Sequence, residues 1–268
     1  MKFCLAAVIF ISFLFACTDG SEKESTITFV HNPADDSILL YQQKLLQHPD
    51  SIGLRLHLLA ILDSTGKYTE ALQQADTLLL KDSLNSNYWF IKAQLAQNAK
   101  DTALALQSYA RAVKIYPSPG AMLAAANLFA EQKNKMALLL CDEIKKQDAG
   151  KEYEAHAAFI SGIYYARTGN RQKAFQSFNA CIADNYTYME AYIEKGLLFF
   201  DNKEYEKALP VFTFAASVNN LYADAYYYQA RCYEMMDKKD SAVIKFKQSL
   251  ALDKNLIEAR DGLKRLGN

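Results

Sequence analysis

Residues 189–222 read MEAYIEKGLLFFDNKEYEKALPVFTFAASVNNLY, and this stretch of thirty-four residues decides the fold. Its columns recur one unit earlier and one unit later. Ala174, Ala208 and Ala242 are in step, as are Phe178, Phe212 and Phe246. Gly162, Gly196 and Ala230 keep the same step, and so do Tyr165, Phe199 and Tyr233. A fixed period of this length marks a helix–turn–helix array. With Ala208 numbered as position 20 of its unit, Tyr192, Gly196 and Phe199 fall at 4, 8 and 11. Ala208, Phe212 and Ala215 fall at 20, 24 and 27. Each triplet is spaced i, i+4, i+7, which is one face of a helix. The small residues at 8 and 20 let the two helices approach closely, and the aromatics fill the space beside them.

The pattern resembles the tetratricopeptide repeat. That motif has a large aromatic at 4, small residues at 8, 20 and 27, aromatics at 11 and 24, and proline at 32. Ser86 to Pro117 fits best, with Trp89, Ala93, Ala105, Tyr109, Ala112 and Pro117 at 4, 8, 20, 24, 27 and 32. Six copies start near Ile52, Ser86, Ser118, Ala155, Met189 and Ala223. The resemblance implies an all-α, right-handed superhelix over residues 52–256. A half-repeat helix at 37–51 precedes it, with Asp35 and Asp36 capping its start. A capping helix at 257–268 follows, its apolar face formed by Leu256, Ala259, Leu263 and Leu266.

Some copies depart from the motif. The first has Arg55 at position 4, and the third has Ala121 there and Cys141 at 24. Ala105, Ala137 and Ala174 are unevenly spaced, which places a longer polar loop at 145–154, around Gly150. Pro210 sits inside a second helix, where it removes one hydrogen bond and is expected to kink it.

The first sixteen residues read as a signal peptide. The apolar run Phe3–Ala16 is too short to cross a bilayer, which takes roughly 20 residues. Leu14-Phe15-Ala16-Cys17 resembles the bacterial lipobox. That resemblance implies cleavage before Cys17 and acylation of Cys17, with several acyl chains making a stable membrane anchor. Residues 17–36 are then a lipidated cysteine and a polar tether. Thr18, rather than Asp, in the second position favours the outer over the inner membrane, by the same resemblance.

Thirty basic and thirty acidic residues give no basic face, so no nucleic-acid partner is expected. His31, His48, His57 and His156 form no metal-ligand pair, and no nucleophile elbow or glycine-rich phosphate loop occurs. No enzyme activity, cofactor or metal is expected. Cys141, Cys181 and Cys232 read as small buried hydrophobes rather than a disulfide framework.

In this family the first helices line a concave surface, with positions 5, 9 and 12 facing the groove. Here those positions are apolar through repeats three to five. The expected partner strip comprises Phe90, Met122, Phe129, Phe159, Ile163, Ile193, Leu197, Phe200 and Tyr227. Phe129 and Phe200 are expected to be solvent-exposed unless the tether segment Ile27-Thr28-Phe29-Val30 covers them. The Asn and Lys of a carboxylate clamp are missing from these positions. An apolar groove suits an amphipathic or extended apolar segment of another protein, so the expected role is a membrane-anchored scaffold or adaptor. The alternative is a lipid or other hydrophobic ligand in the same groove.

Overall fold

The structure is a computed structural model that describes residues 33–267. Fourteen helices, and no strand, occur among the described residues. α1 (Pro33–Gln47) stands alone. Six helical pairs follow: α2 (Ile52–Ser64) with α3 (Tyr68–Lys81), α4 (Ser86–Asn98) with α5 (Thr102–Ile115), and α6 (Pro119–Glu131) with α7 (Met136–Lys146). The remaining pairs are α8 (Lys151–Arg167) with α9 (Arg171–Asp184), α10 (Met189–Phe200) with α11 (Tyr205–Val218), and α12 (Ala223–Met235) with α13 (Lys239–Leu252). α14 (Ile257–Arg265) ends the stack. Each helix packs on the next in sequence, which gives an all-α superhelical repeat.

Local chemistry sets the helix ends. Ser51, Asn85, Asp101, Ser118 and Asn170 each accept a backbone N–H from the first turn of the helix they precede. Within every pair the turn contains one left-handed residue: Gly66, Lys100, Lys133, Gly169, Lys203 or Asp237. The residue after it donates its N–H back five positions, as in Lys67 N to Leu62 O at 2.8 Å and Glu204 N to Phe199 O at 3.0 Å. This closure satisfies helix-end carbonyls and reverses the chain.

The repeat columns are the core. Ala174, Phe178, Ala208, Phe212, Ala242 and Phe246 are fully buried. The position-24 ring lies on the small residue at position 8: a Cβ added to Gly162 would collide with Phe178, and one added to Gly196 would collide with Phe212. Phe246 meets Gly262 of α14 in the same way. Leu256, Leu263 and Leu266 close over that last ring.

Two local expectations are corrected. α1 begins at Pro33, so Asp35 and Asp36 lie in its first turn and favour its N-terminal dipole rather than capping it. The irregular loop is only 147–150, because α7 runs to Lys146 and the extra residues extend α8 to seventeen. Pro210 lies inside α11, as the sequence places it, and is exposed.

Polar contacts recur at a separation of about one repeat. Lys67 pairs with Asp35 at 2.7 Å, Asn98 donates to Asp63 at 2.9 Å, and Arg265 pairs with Glu234 at 2.9 Å.

Candidate protein-interaction surface

Position 4 fixes the edge of the array where one repeat joins the next. Trp89 Nε1 donates to Ser83 O at 2.9 Å, Tyr192 Oη to Tyr186 O at 3.0 Å, and Tyr226 Oη to Asn220 O at 3.2 Å. Each carbonyl lies six residues upstream, in the inter-repeat loop. Arg55 makes the same tie to Pro49 O at 2.9 Å, and Arg260 of α14 makes it to Lys254 O at 2.7 Å. The position therefore needs a long side chain with a polar tip. Arginine meets that need, so Arg55 is a functional substitute in the first repeat. Ala121 and Ala158 cannot reach, and the third and fourth repeats are joined differently.

That difference reshapes the inner face. α6 packs directly against α8, and one core cluster runs through α6, α7, α8 and α9. Met122 and Ile163 are buried in this cluster. Ile193 is buried among α10, α11 and α12, and Tyr227 against Phe246. These four residues are core and not part of an exposed strip, which corrects the sequence reading. Met122 and Ile163 turn inward where α6 meets α8, whereas Tyr227 follows a recurring contact between position 5 and position 24 of the same repeat. Phe90 meets Tyr109 edge-on at 5.5 Å, Phe159 meets Phe178 at 5.9 Å, and Tyr227 meets Phe246 at 5.9 Å.

The other five residues are half-buried. Phe159 also leans on Tyr188, with centroids 4.9 Å apart. Leu197 packs on the fifth-repeat core. Phe129 bridges the clusters of the second and third repeats. Phe200 meets Tyr205 at 5.1 Å and is roofed by the Arg231 guanidinium at 5.6 Å. Neighbouring repeats thus cover part of Phe129 and Phe200, which were expected to be exposed.

The inner face carries charge as pairs. Arg167 donates to both oxygens of Glu131, at 2.9 and 3.2 Å, and lies 3.5 Å from Glu194. Burial pushes the Glu194 carboxyl up despite Arg167. Glu234 receives Arg231 at 3.2 Å and Arg265 at 2.9 Å.

Where the inner face meets the loop edge, a pocket of about 270 Å³ opens beside Phe90. Tyr116 at the end of α5 and Tyr153 in the α8 extension form its aromatic walls, with Pro119, Ala112 and Gly120 between them. Tyr116 is 64% exposed and Tyr153 37%. The Ser86 hydroxyl, the Asn87 amide and both tyrosine hydroxyls have no partner among the described residues. No charged residue lines the pocket. It can take an apolar side chain and hydrogen-bond the backbone beside it. Of the nine strip residues, only Phe90 lines this pocket. Tyr116 and Tyr153 were missed because both lie outside the groove positions, Tyr153 in residues that belong to no repeat column.

His57 is exposed against Tyr41, with centroids 5.6 Å apart, and His156 Nδ1 is 2.8 Å from Tyr188 Oη. Cys141, Cys181 and Cys232 are free and fully buried, and burial pushes their thiols up to about 11, 12 and 12. No group of His, Cys, Asp or Glu suited to a metal occurs among the described residues. None of their helices is long and apolar enough to cross a membrane. The expected signal peptide, Cys17 and the expected tether segment Ile27–Val30 lie outside the described residues.

An unbroken stack of paired helices with a half-open inner face defines an α-solenoid of helix–turn–helix repeats. The family model of the tetratricopeptide repeat matches residues 61–118 and 193–256, so the chain carries repeats of this kind there. The span between those matches holds the irregular α6–α8 junction. A tetratricopeptide repeat protein from Parabacteroides merdae aligns with a TM-score of 0.70 at 19% identity, over 88% of this chain and 93% of its own. PilW, a type IV pilus biogenesis factor, aligns with a TM-score of 0.60 at 18% identity, over 87% of this chain and all of its own. PilF of Pseudomonas aeruginosa gives 0.56 at 16% identity, over 87% of this chain and all of its own. At these identities the likeness is one of fold. No curated protein sequence matches this chain.

Proposed function

We propose that this protein is a lipid-anchored adaptor of the cell envelope that holds extended segments of other proteins. The observation that carries the reading is the uncharged pocket of Phe90, Tyr116 and Tyr153, with its unpartnered amide and hydroxyl groups. Two exposed tyrosines beside a ready hydrogen-bonding edge suit peptide capture better than chemistry. Anchoring rests on the Leu14-Phe15-Ala16-Cys17 junction, with acyl chains on Cys17 and the outer membrane as the favoured site. The fold it shares with PilW, a pilus biogenesis factor, is compatible with an assembly role.

Two measurements test the parts separately. Mass spectrometry of the membrane-extracted chain should find acyl mass on Cys17, and Cys17→Ser should leave the membrane fraction. A mature chain that starts elsewhere contradicts the anchor. A photoreactive residue at Tyr116 should capture proteins in the cell that the same residue at exposed Leu139 does not. Equal capture at both contradicts the pocket.

A further inference from the structure

Trp89 follows the tie already described with a cleft of its own. With Ser83, Leu84, Arg111, Lys114 and Ile115 it lines about 590 Å³, apart from the pocket of Phe90. The corresponding place recurs along the array, between position 4, the preceding loop, and positions 26, 29 and 30 of the second helix. In the sixth repeat, Asn220, Tyr226, Gln248, Ala251 and Leu252 line only about 230 Å³. In the fifth, Phe214 at position 26 lays its ring against Tyr192, with centroids 5.7 Å apart. In the first, Lys81 at position 30 reaches across it to the loop residue Asp50 at 2.6 Å. The second repeat has Arg111 where the fifth has Phe214, and there the cleft is open.

Its charge is also unbalanced. Neither Arg111 nor Lys114 has an ion pair or hydrogen bond with any described residue. No described carboxylate pairs with either: Asp82 accepts only from Leu84 N at 3.1 Å and Asn85 Nδ2 at 3.4 Å, and Asp76 holds Lys92 at 2.6 Å, whose ammonium lies over one part of the Trp89 ring at 5.6 Å from its centroid. The apolar wall of Leu84, Trp89 and Ile115 stands beside two free cations.

We propose that this cleft is a second peptide site, for a segment that presents an aromatic side chain next to carboxylates. The ring would lie on Trp89 as Phe214 lies on Tyr192. A carboxylate would meet the planar fork of Arg111, with Lys114 adding charge, a pairing suited to bidentate recognition.

Trp89 is the only tryptophan of the chain, so its fluorescence reads this cleft alone. Titrating the full chain with the blocked peptide Gly-Asp-Phe-Asp-Gly should change the emission saturably. Gly-Asn-Phe-Asn-Gly and Gly-Asp-Ala-Asp-Gly should each bind about tenfold more weakly or worse. Arg111→Glu and Lys114→Gln, both at exposed positions, should weaken the acidic peptide while leaving the melting temperature unchanged. A response that never saturates overturns the proposal. So does equal binding of the amide peptide, or full binding by both variants.

Discussion

The ring of Phe212 lies on Gly196, so close that a methyl group at residue 196 would overlap its Cε1 and Cζ atoms. One contact thus joins the two helices of the fifth repeat, and Phe178 with Gly162 repeats it in the fourth. Gly196→Ala gains roughly 1 kcal/mol of helix propensity but must push the ring aside. Overpacking of this kind costs about 1–3 kcal/mol, so the variant should melt at a lower temperature. Phe212→Leu in the same chain should recover part of that loss. Gly53→Ala is the control, because a Cβ there meets nothing within 4 Å. A Gly196→Ala chain that melts no lower than the parent contradicts this contact.

The tie from position 4 to the loop is a hydrogen bond that can be removed alone. Tyr192→Phe deletes only the hydroxyl that donates to Tyr186 O. It should cost about 0.5–1.5 kcal/mol in denaturant unfolding. Arg55→Met should cost at least as much, since it also frees Gln74. No change in either variant would mean that the tie contributes nothing to joining the repeats.

Glu194 gives a pH dependence with a definite sign. Its folded pKa is raised, first by burial. A raised carboxyl contributes stability that is complete below its unfolded value and is lost as pH rises through the folded value. Glu194→Gln removes that loss. The melting difference, variant minus parent, should therefore be more positive at pH 8 than at pH 4. Arg167 keeps its pair with Glu131 in the variant. A difference that becomes more negative at pH 8 would mean that the Arg167–Glu194 attraction outweighs the cost of burial.

The period made the helix pairs legible, because Ala208, Phe212 and their copies are each dictated by one close crossing. The starts of the six first helices could be read for the same reason, within a few residues even at α8. The inner face was less legible. In sequence, positions 5, 9 and 12 read as one outward strip, but Ile163 and Met122 turn inward where α6 and α8 pack together. That packing depends on a spacing change between repeats, which no single repeat encodes. Tyr227 was misplaced for another reason: its ring serves Phe246 of its own repeat. Arg55 departs from the motif in sequence, yet its bond to Pro49 O makes the same tie as the aromatic residues at that position.

The pocket of Phe90, Tyr116 and Tyr153 carries the proposed role. The decisive measurement is in-cell crosslinking of Tyr116→Ser with Tyr153→Ser beside the parent chain. Both tyrosines are exposed, so the double variant should keep its helix content and melting temperature. A buried aromatic anchor carries about 2 kcal/mol or more of binding, so removing two should abolish capture of the parent's partners. A folded double variant that still captures every one of them would contradict the claim that this pocket is where the protein holds its partners.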